Sequence, residues 1–137
     1  MEKFNYKKID SLEAACAHQG KDPKASVPDL TAFGSLGIAA MAFMSLCIIS
    51  DSINADDDGK PTKANWNDTD EWKWSNWMTV EADEEHPSGL GLSFVGAVYD
   101  YSDTIVPARL TCRDEERSEF LFTQHKKLWE DYILHRD

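Results

Sequence analysis

The chain has 137 residues, of which 42% are hydrophobic and 28% charged, which suits one soluble domain with its own core and excludes a disordered chain. Its 25 acidic and 14 basic residues give a formal net charge of −11, which disfavours nucleic acid as a partner because phosphates would be repelled at long range. Three cysteines without short spacing and an N-terminus without a signal-peptide pattern predict a reduced cytoplasmic protein with no disulfide, zinc site or cofactor.

The first predicted element is a short helix within residues 1–30. Asp10-Ser11-Leu12-Glu13 has the pattern of a capping box, and Gly20 is a typical stop after a helix. We expect this helix to end near His18. An irregular connector should follow, because Asp22-Pro23 interrupts any regular pattern.

The central prediction is a long apolar helix over residues 31–54. The segment from Phe33 to Asn54 contains no proline, and Gly59 and Pro61 follow it. Because this helix carries apolar side chains on nearly all sides, we expect it to be covered on nearly all sides, by the core or by a second copy of the chain. It approaches the length of a membrane span, but its acidic flanks lack a basic anchor, so we expect no membrane partner.

The acidic turn that follows partly matches a calcium-binding loop. Asn54, Asp56, Asp58 and Gly59 fall at ligand and glycine positions of an EF-hand, but the position that requires glutamate is Asn65. A solvated turn is the better interpretation, so we predict no metal site. Whether the loop over 54–65 binds calcium stays open.

Residues 65–112 are predicted to form an antiparallel meander of three to four strands. Polar and apolar residues alternate from Trp72 to Val80 and again from Gly89 to Tyr101, with a bulge expected at Gly96. Residues 108–112 are the expected third strand.

Asp114 is a good N-cap for a last helix over 114–135, whose apolar side includes Leu121, His125 and Trp129. The order of elements predicts a single α+β domain over residues 1–137. The central and C-terminal helices should cover one face of the sheet, and a short N-terminal helix should complete the domain.

Several segments between Leu46 and Tyr132 resemble a family of short uncharacterised proteins encoded by phages and prophages of gut Bacteroidota. These segments are Leu46-Cys47-Ile48-Ile49, Ile53-Asn54, Trp66-Asn67-Asp68, Trp72-Lys73-Trp74 with Trp77, Ser88-Gly89-Leu90-Gly91-Leu92, and Arg109-Leu110 with Cys112. Family members usually have a shorter connection where this chain has residues 56–65. The resemblance implies a viral or mobile-element origin and a small soluble accessory protein, and it implies no catalytic residue.

The sequence has no spacing typical of catalysis. The four histidines lie outside zinc-binding motifs, and Cys112 and His125 are better explained as a strand residue and a helix-face residue than as a catalytic dyad. Gly89-Leu90-Gly91 lacks the third glycine and the following helix of a phosphate loop. We therefore predict a protein without catalytic residues that is not an enzyme.

The tryptophan-rich segment is the best candidate for a binding surface, because aromatic side chains bury a large area at little entropic cost. We interpret Trp72 and Trp74 as core residues and expect Trp66 and Trp77 to be partly exposed. The candidate binding residues are Trp66, Asn67, Asp68, Lys73, Trp77, Arg109 and Arg113. The leading hypothesis is a phage-type accessory protein in the bacterial cytoplasm that binds a host or phage protein through an aromatic sheet edge or the apolar helix.

Two other hypotheses stay open. The chain could bind or sequester a nucleotide or single-stranded nucleic acid, which requires Lys73, Arg109 and Arg113 to converge in a pocket that also holds a tryptophan. It could also be an acidic mimic of nucleic acid, with the carboxylates of 51–58, 68–71 and 81–85 at phosphate-like spacing. A homo-oligomer formed through the apolar helix is compatible with each hypothesis.

Overall fold

The structure, a computed structural model, describes residues 2–85, 89–100 and 109–134. Its elements in chain order are helices α1 (Leu12–Gln19), α2 (Pro23–Ser26) and α3 (Gly34–Ile53), strands β1 (Lys73–Ala82) and β2 (Leu90–Asp100), and helices α4 (Glu115–Gln124) and α5 (Lys126–Ile133). Short 3-10 turns precede α1 at Tyr6–Lys8 and α3 at Thr31–Phe33. The predicted α+β class is confirmed.

Helix α1 begins and ends at local signals. The Ala14 amide donates to Ser11 Oγ at 3.1 Å, so the N-cap is Ser11, one residue later than the capping box predicts. Gly20 adopts a left-handed φ of 67° and ends the helix as expected. Ala15 and Cys16 are buried, and α1 packs against α3.

Helix α3 is confirmed, and the core of the chain covers its two ends unequally. In its C-terminal half, Leu46, Ile49 and Ile53 are fully buried in the core. At its N-terminal end, Phe33 is 70% exposed and Leu36 is 76% exposed. The rest of the chain therefore leaves the first turns of this helix exposed, and their covering by a second copy of the chain stays a prediction.

The long helical region also meets the length and composition criteria for a membrane span. The stretch Pro23–Ile53, which includes α3, is apolar enough to cross a bilayer, and 28% of its 18-residue apolar segment is buried. The core helix of a soluble protein can meet the same criteria, and the C-terminal half of α3 is buried as in such a helix.

Strands β1 and β2 form an antiparallel hairpin with a bulge. Trp77 pairs with Gly96 and Met78 pairs with Phe94, so Val95 is the extra residue on β2. The bulge thus lies one residue from the predicted Gly96. Trp74, Met78 and Phe94 turn toward the core, and the alternate residues of each strand point away from it.

The predicted sheet of three to four strands is only partly found. Among the described residues, the sheet has two strands, and an isolated antiparallel bridge joins Trp74 to Cys112. The expected third strand over 108–112 is reduced there to this bridge, since 109–111 are not in a strand. Residues 101–108 lie outside the described part of the chain.

The predicted C-terminal helix is two helices with a break at His125. Asp114 caps α4 as predicted, accepting from the Arg117 amide at 2.8 Å. The Leu121 carbonyl, which the His125 amide would engage in a continuous helix, accepts the Trp129 indole N–H at 3.2 Å. The His125 ring also bonds to the Ile9 carbonyl at 3.1 Å, which holds the break against the N-terminal segment.

Candidate functional site

The predicted binding residues are divided among four places. Asn67, Asp68 and Lys73 belong to an acidic loop before β1, and Trp66 and Arg109 line a pocket beside α3. Trp77 lies on the outer face of the hairpin, and Arg113 lines a groove next to the pocket. No single site contains all of them.

Lys73 is buried and holds the acidic loop together. Its Nζ donates to the carbonyls of Asp68 and Glu71 at 3.1 Å each, and forms an ion pair with the Glu71 carboxylate at 3.5 Å. It also lies 5.3 Å from the centre of the Trp66 ring, within cation–π range. Lys73 was expected to offer charge to a phosphate, but its ammonium is occupied by the loop.

Asn67 and Asp68 form the turn that the sequence predicts before the strand. The Asn67 amide donates to Asn65 Oδ1 at 3.0 Å, and Asp68 Oδ1 accepts from the Asp70 amide at 3.0 Å. Both residues are exposed; Asn67 takes part through its backbone N–H and Asp68 through its side chain. Their role within the described contacts is to shape the loop around Lys73.

The Trp66 pocket is a cavity of about 260 Å³ between the end of α3 and the segments around Lys63 and Arg109. It is lined by Cys47, Ser50, Asp51, Asn54, Lys63, Ala64, Trp66, Arg109 and Thr111. Asp51 and Lys63 form an ion pair at 3.4 Å on its wall. The pocket therefore combines an aromatic ring, two cations and one carboxylate.

Burial perturbs two groups of this pocket. Burial raises the pKa of the Asp51 carboxyl, and the Lys63 ammonium opposes that shift. Burial likewise raises the pKa of the Cys47 thiol to about 11, with the Arg109 guanidinium acting in the opposite direction. Cys47 is thus a protonated, weakly reactive thiol at neutral pH.

Asn54 fixes the floor of the pocket. Its side-chain amide donates to the Thr111 carbonyl at 2.9 Å and to Ser50 Oγ at 3.2 Å, and its Oδ1 accepts from the Arg113 amide at 2.9 Å. These bonds join the end of α3 to the 111–113 segment. Asn54 was the first position of the partial calcium loop, and its side-chain oxygen is used here instead by the Arg113 amide.

The rest of that loop is closed by its own hydrogen bonds. Asp56 Oδ1 accepts from the amides of Asp58 and Lys60 at 3.0 and 2.9 Å. Within 2–85, 89–100 and 109–134, no group of three or more His, Cys, Asp or Glu side chains has a metal-binding arrangement. The neighbouring Arg113 guanidinium donates to the Ala55 carbonyl at 3.1 Å.

The outer patch consists of Trp77, Val95 and Val98 on the hairpin. Trp77 and Val95 are each 59% exposed, and Val98 lies diagonally across from Trp77 on the same face. Gly96 pairs directly with Trp77, and a Cβ built there would meet no atom within 4 Å. The patch is therefore an aromatic ring and two valines around an open depression.

The opposite face of the hairpin carries an exposed aromatic pair. Trp72 stacks on Tyr99 with ring centres 4.1 Å apart, and the two are 46% and 50% exposed. Trp74 packs against the core, as predicted, but the core assignment of Trp72 is wrong. Trp66 is half-buried and Trp77 exposed, which confirms the expectation for both.

The catalytic alternatives have core environments. Cys112 is buried, and burial raises its pKa to about 12, while the buried His125 ring bonds to a backbone carbonyl. One histidine–serine contact, His18 Nδ1 to Ser52 Oγ at 2.9 Å, has no signal in the sequence. Ser52 is fully buried there, so no substrate could reach it.

The sequence does not indicate that Asp51 and Lys63 form an ion pair in the pocket. Asp51 lies one helical turn after Cys47, which places both on the same face of α3, but nothing local pairs it with a lysine twelve residues later.

Comparison with family models, curated proteins and solved structures gives no match.

Proposed function

We propose that this chain is a non-enzymatic accessory protein that binds a host or phage protein through the outer patch of its hairpin. The observation that carries the proposal is the exposure of Trp77 beside the open depression at Gly96. Tryptophan is the residue type most enriched among side chains that dominate binding energy. An apolar side chain of the partner would fill the depression and cover the indole.

The charges around the outer patch favour a partner with a basic rim. Along the outer face of β1, Ser75, Trp77 and Thr79 carry no charge, whereas Glu81 follows on the same face. The acidic loop, whose Asp70 is exposed, lies at the other end of the strand. Binding should therefore combine an apolar centre with attraction at the rim, which salt would weaken.

The resemblance to small phage proteins supports a partner from the host or the phage and a cytoplasmic location. Several carboxylates of the proposed nucleic-acid mimic are ion-paired: Asp51 with Lys63, Asp57 with Lys3, and Glu71 with Lys73. This pairing reduces the negative charge that a mimic needs. It favours a partner protein that docks on apolar surface over a DNA-handling enzyme that recognises an acidic surface.

A comparison of two tryptophan variants tests the proposal. Trp77→Ala removes the centre of the outer patch, and Trp72→Ala removes an exposed indole from the opposite face of the same hairpin. In affinity capture from infected-host lysate followed by titration of the captured protein, Trp77→Ala should weaken binding by at least about thirtyfold. Trp72→Ala should bind within about threefold of the unchanged chain.

Gly96→Val gives an independent readout. Its methyl groups would fill the depression without removing any apolar surface, so partner binding should fall while the fold stays intact. Equal binding by Trp77→Ala and the unchanged chain would refute the outer patch as the docking surface. Loss of binding only in Trp72→Ala would assign the function to the Trp72–Tyr99 face instead.

A second candidate function is self-association through the start of α3. Phe33 and Leu36 are the most exposed large apolar residues described, and residues 34–50 contain no charged side chain. Leu36→Glu should then dissociate an oligomer that light scattering detects for the unchanged chain. A monomeric unchanged chain would exclude this candidate.

A further inference from the structure

We propose that the Trp66 pocket binds a nucleoside monophosphate, with the phosphate on Arg109 and Lys63 and the base against Trp66. The pocket shares no lining residue with the outer patch. This inference therefore goes beyond the proposed function and does not depend on it.

Arg109 is the anion-recognising group of the pocket. Among the residues that the structure describes, it forms no ion pair, although the chain has 25 acidic residues and 14 basic ones. It is close enough to Asp51 and Cys47 to act electrostatically on both, so its charge reaches the pocket. A guanidinium can bind two phosphate oxygens at once.

Lys63 can add a second contact to the same phosphate. Its side chain is 72% exposed and holds Asp51 by an ion pair of 3.4 Å, which is a weak constraint at such an exposed site. Lys63 can thus turn toward an incoming anion. The Asp51 carboxylate that it leaves is positioned on the same wall and can accept a hydrogen bond from a hydroxyl or amino group.

Trp66 supplies a prearranged surface for a flat ring. It is half-buried, and the buried Lys73 ammonium lies 5.3 Å from its ring centre, which restrains the indole before any ligand arrives. Stacking on such a ring tolerates any base, so the pocket should discriminate weakly between purines. Recognition then rests on the combination of base and phosphate.

The size and charge of the pocket select a monophosphate over a triphosphate. A cavity of about 260 Å³ is smaller than the about 300 Å³ at which ligand sites usually begin, and its two cations are partly balanced by Asp51. Further phosphates would extend into the adjoining groove, which carries Asp56 and Glu71 and whose cations Lys73 and Arg113 are already bound to backbone carbonyls. Additional phosphates would therefore gain little from this groove.

Calorimetric titration at low ionic strength tests this inference. AMP and GMP should each bind at one site per chain, whereas adenosine and inorganic phosphate should each bind at least about tenfold more weakly. ATP should also bind more weakly than AMP. The arms separate a nucleotide site from a site for phosphate alone or for a flat ring alone.

Two arginine variants identify the site. Arg109→Gln should weaken AMP binding at least about tenfold, and the matched control Arg113→Gln, whose guanidinium is bound to a carbonyl, should stay within about threefold. No measurable AMP binding, phosphate binding as tight as AMP, or equal losses in both variants would overturn the inference. Each of these results leaves the test of the outer patch unaffected.

Discussion

Replacing Lys73 by Met tests whether a buried lysine holds the acidic loop. Methionine keeps most of the apolar stem but removes two charged hydrogen bonds, the Glu71 ion pair and the contact with Trp66. A hydrogen bond to a charged group contributes about 1.5–3 kcal/mol, and water would regain part of this at the exposed Asp68. We therefore expect a loss of about 2–3 kcal/mol in the free energy of unfolding.

Thermal unfolding followed by circular dichroism measures this loss. An unfolding entropy of about 2.1 cal/mol/K per residue over 137 residues converts it to a decrease of about 7–10 °C in Tm. Lys63→Met is the control, because its exposed ion pair should change Tm by less than about 3 °C. A decrease of under about 2 °C for Lys73→Met would show that the loop does not depend on this ammonium.

Three further variants or conditions test other parts of the structure. Gly96→Val should leave stability unchanged or raise it by up to about 1 kcal/mol in urea titration, because Val favours strands and the site is open. Cys112 should resist iodoacetamide at about pH 8 until urea unfolds the chain, since its thiol pKa is about 12 in the folded state. Burial lowers the pKa of His125, so the folded state binds fewer protons than the unfolded state below the ordinary value of 6.5. The free energy of unfolding should therefore be highest above that pH and fall as the pH is lowered. The difference between urea midpoints at about pH 7.5 and 5.5 measures this fall, and His125→Gln should make the difference smaller.

Local signals explain why the helix positions could be predicted. Gly20 ends α1 through its own left-handed backbone, and Asp114 caps α4 through a bond to an amide three residues later. The limits of α3 follow from an uninterrupted apolar run. Each of these signals acts within a few residues, so the sequence alone carries it.

The missed features depend on contacts between distant residues. The break at His125 requires Ile9, which is 116 residues away in the chain. Alternation predicted two faces for the hairpin, but only the packing of the helices determines that Trp74 is covered and that Trp72 is not. Lys73 looked available because its burial depends on the fold of the preceding loop.

The 56–65 segment forms part of the Trp66 pocket. Lys63 and Ala64 from this segment line the Trp66 pocket, and Lys63 brings one of its two cations. A chain without this segment would lack this cation, so the proposed nucleotide site depends on the segment. Shortening the segment by removing 57–63 should then abolish AMP binding while Trp77-dependent partner binding persists, because the outer patch contains no residue of 56–65.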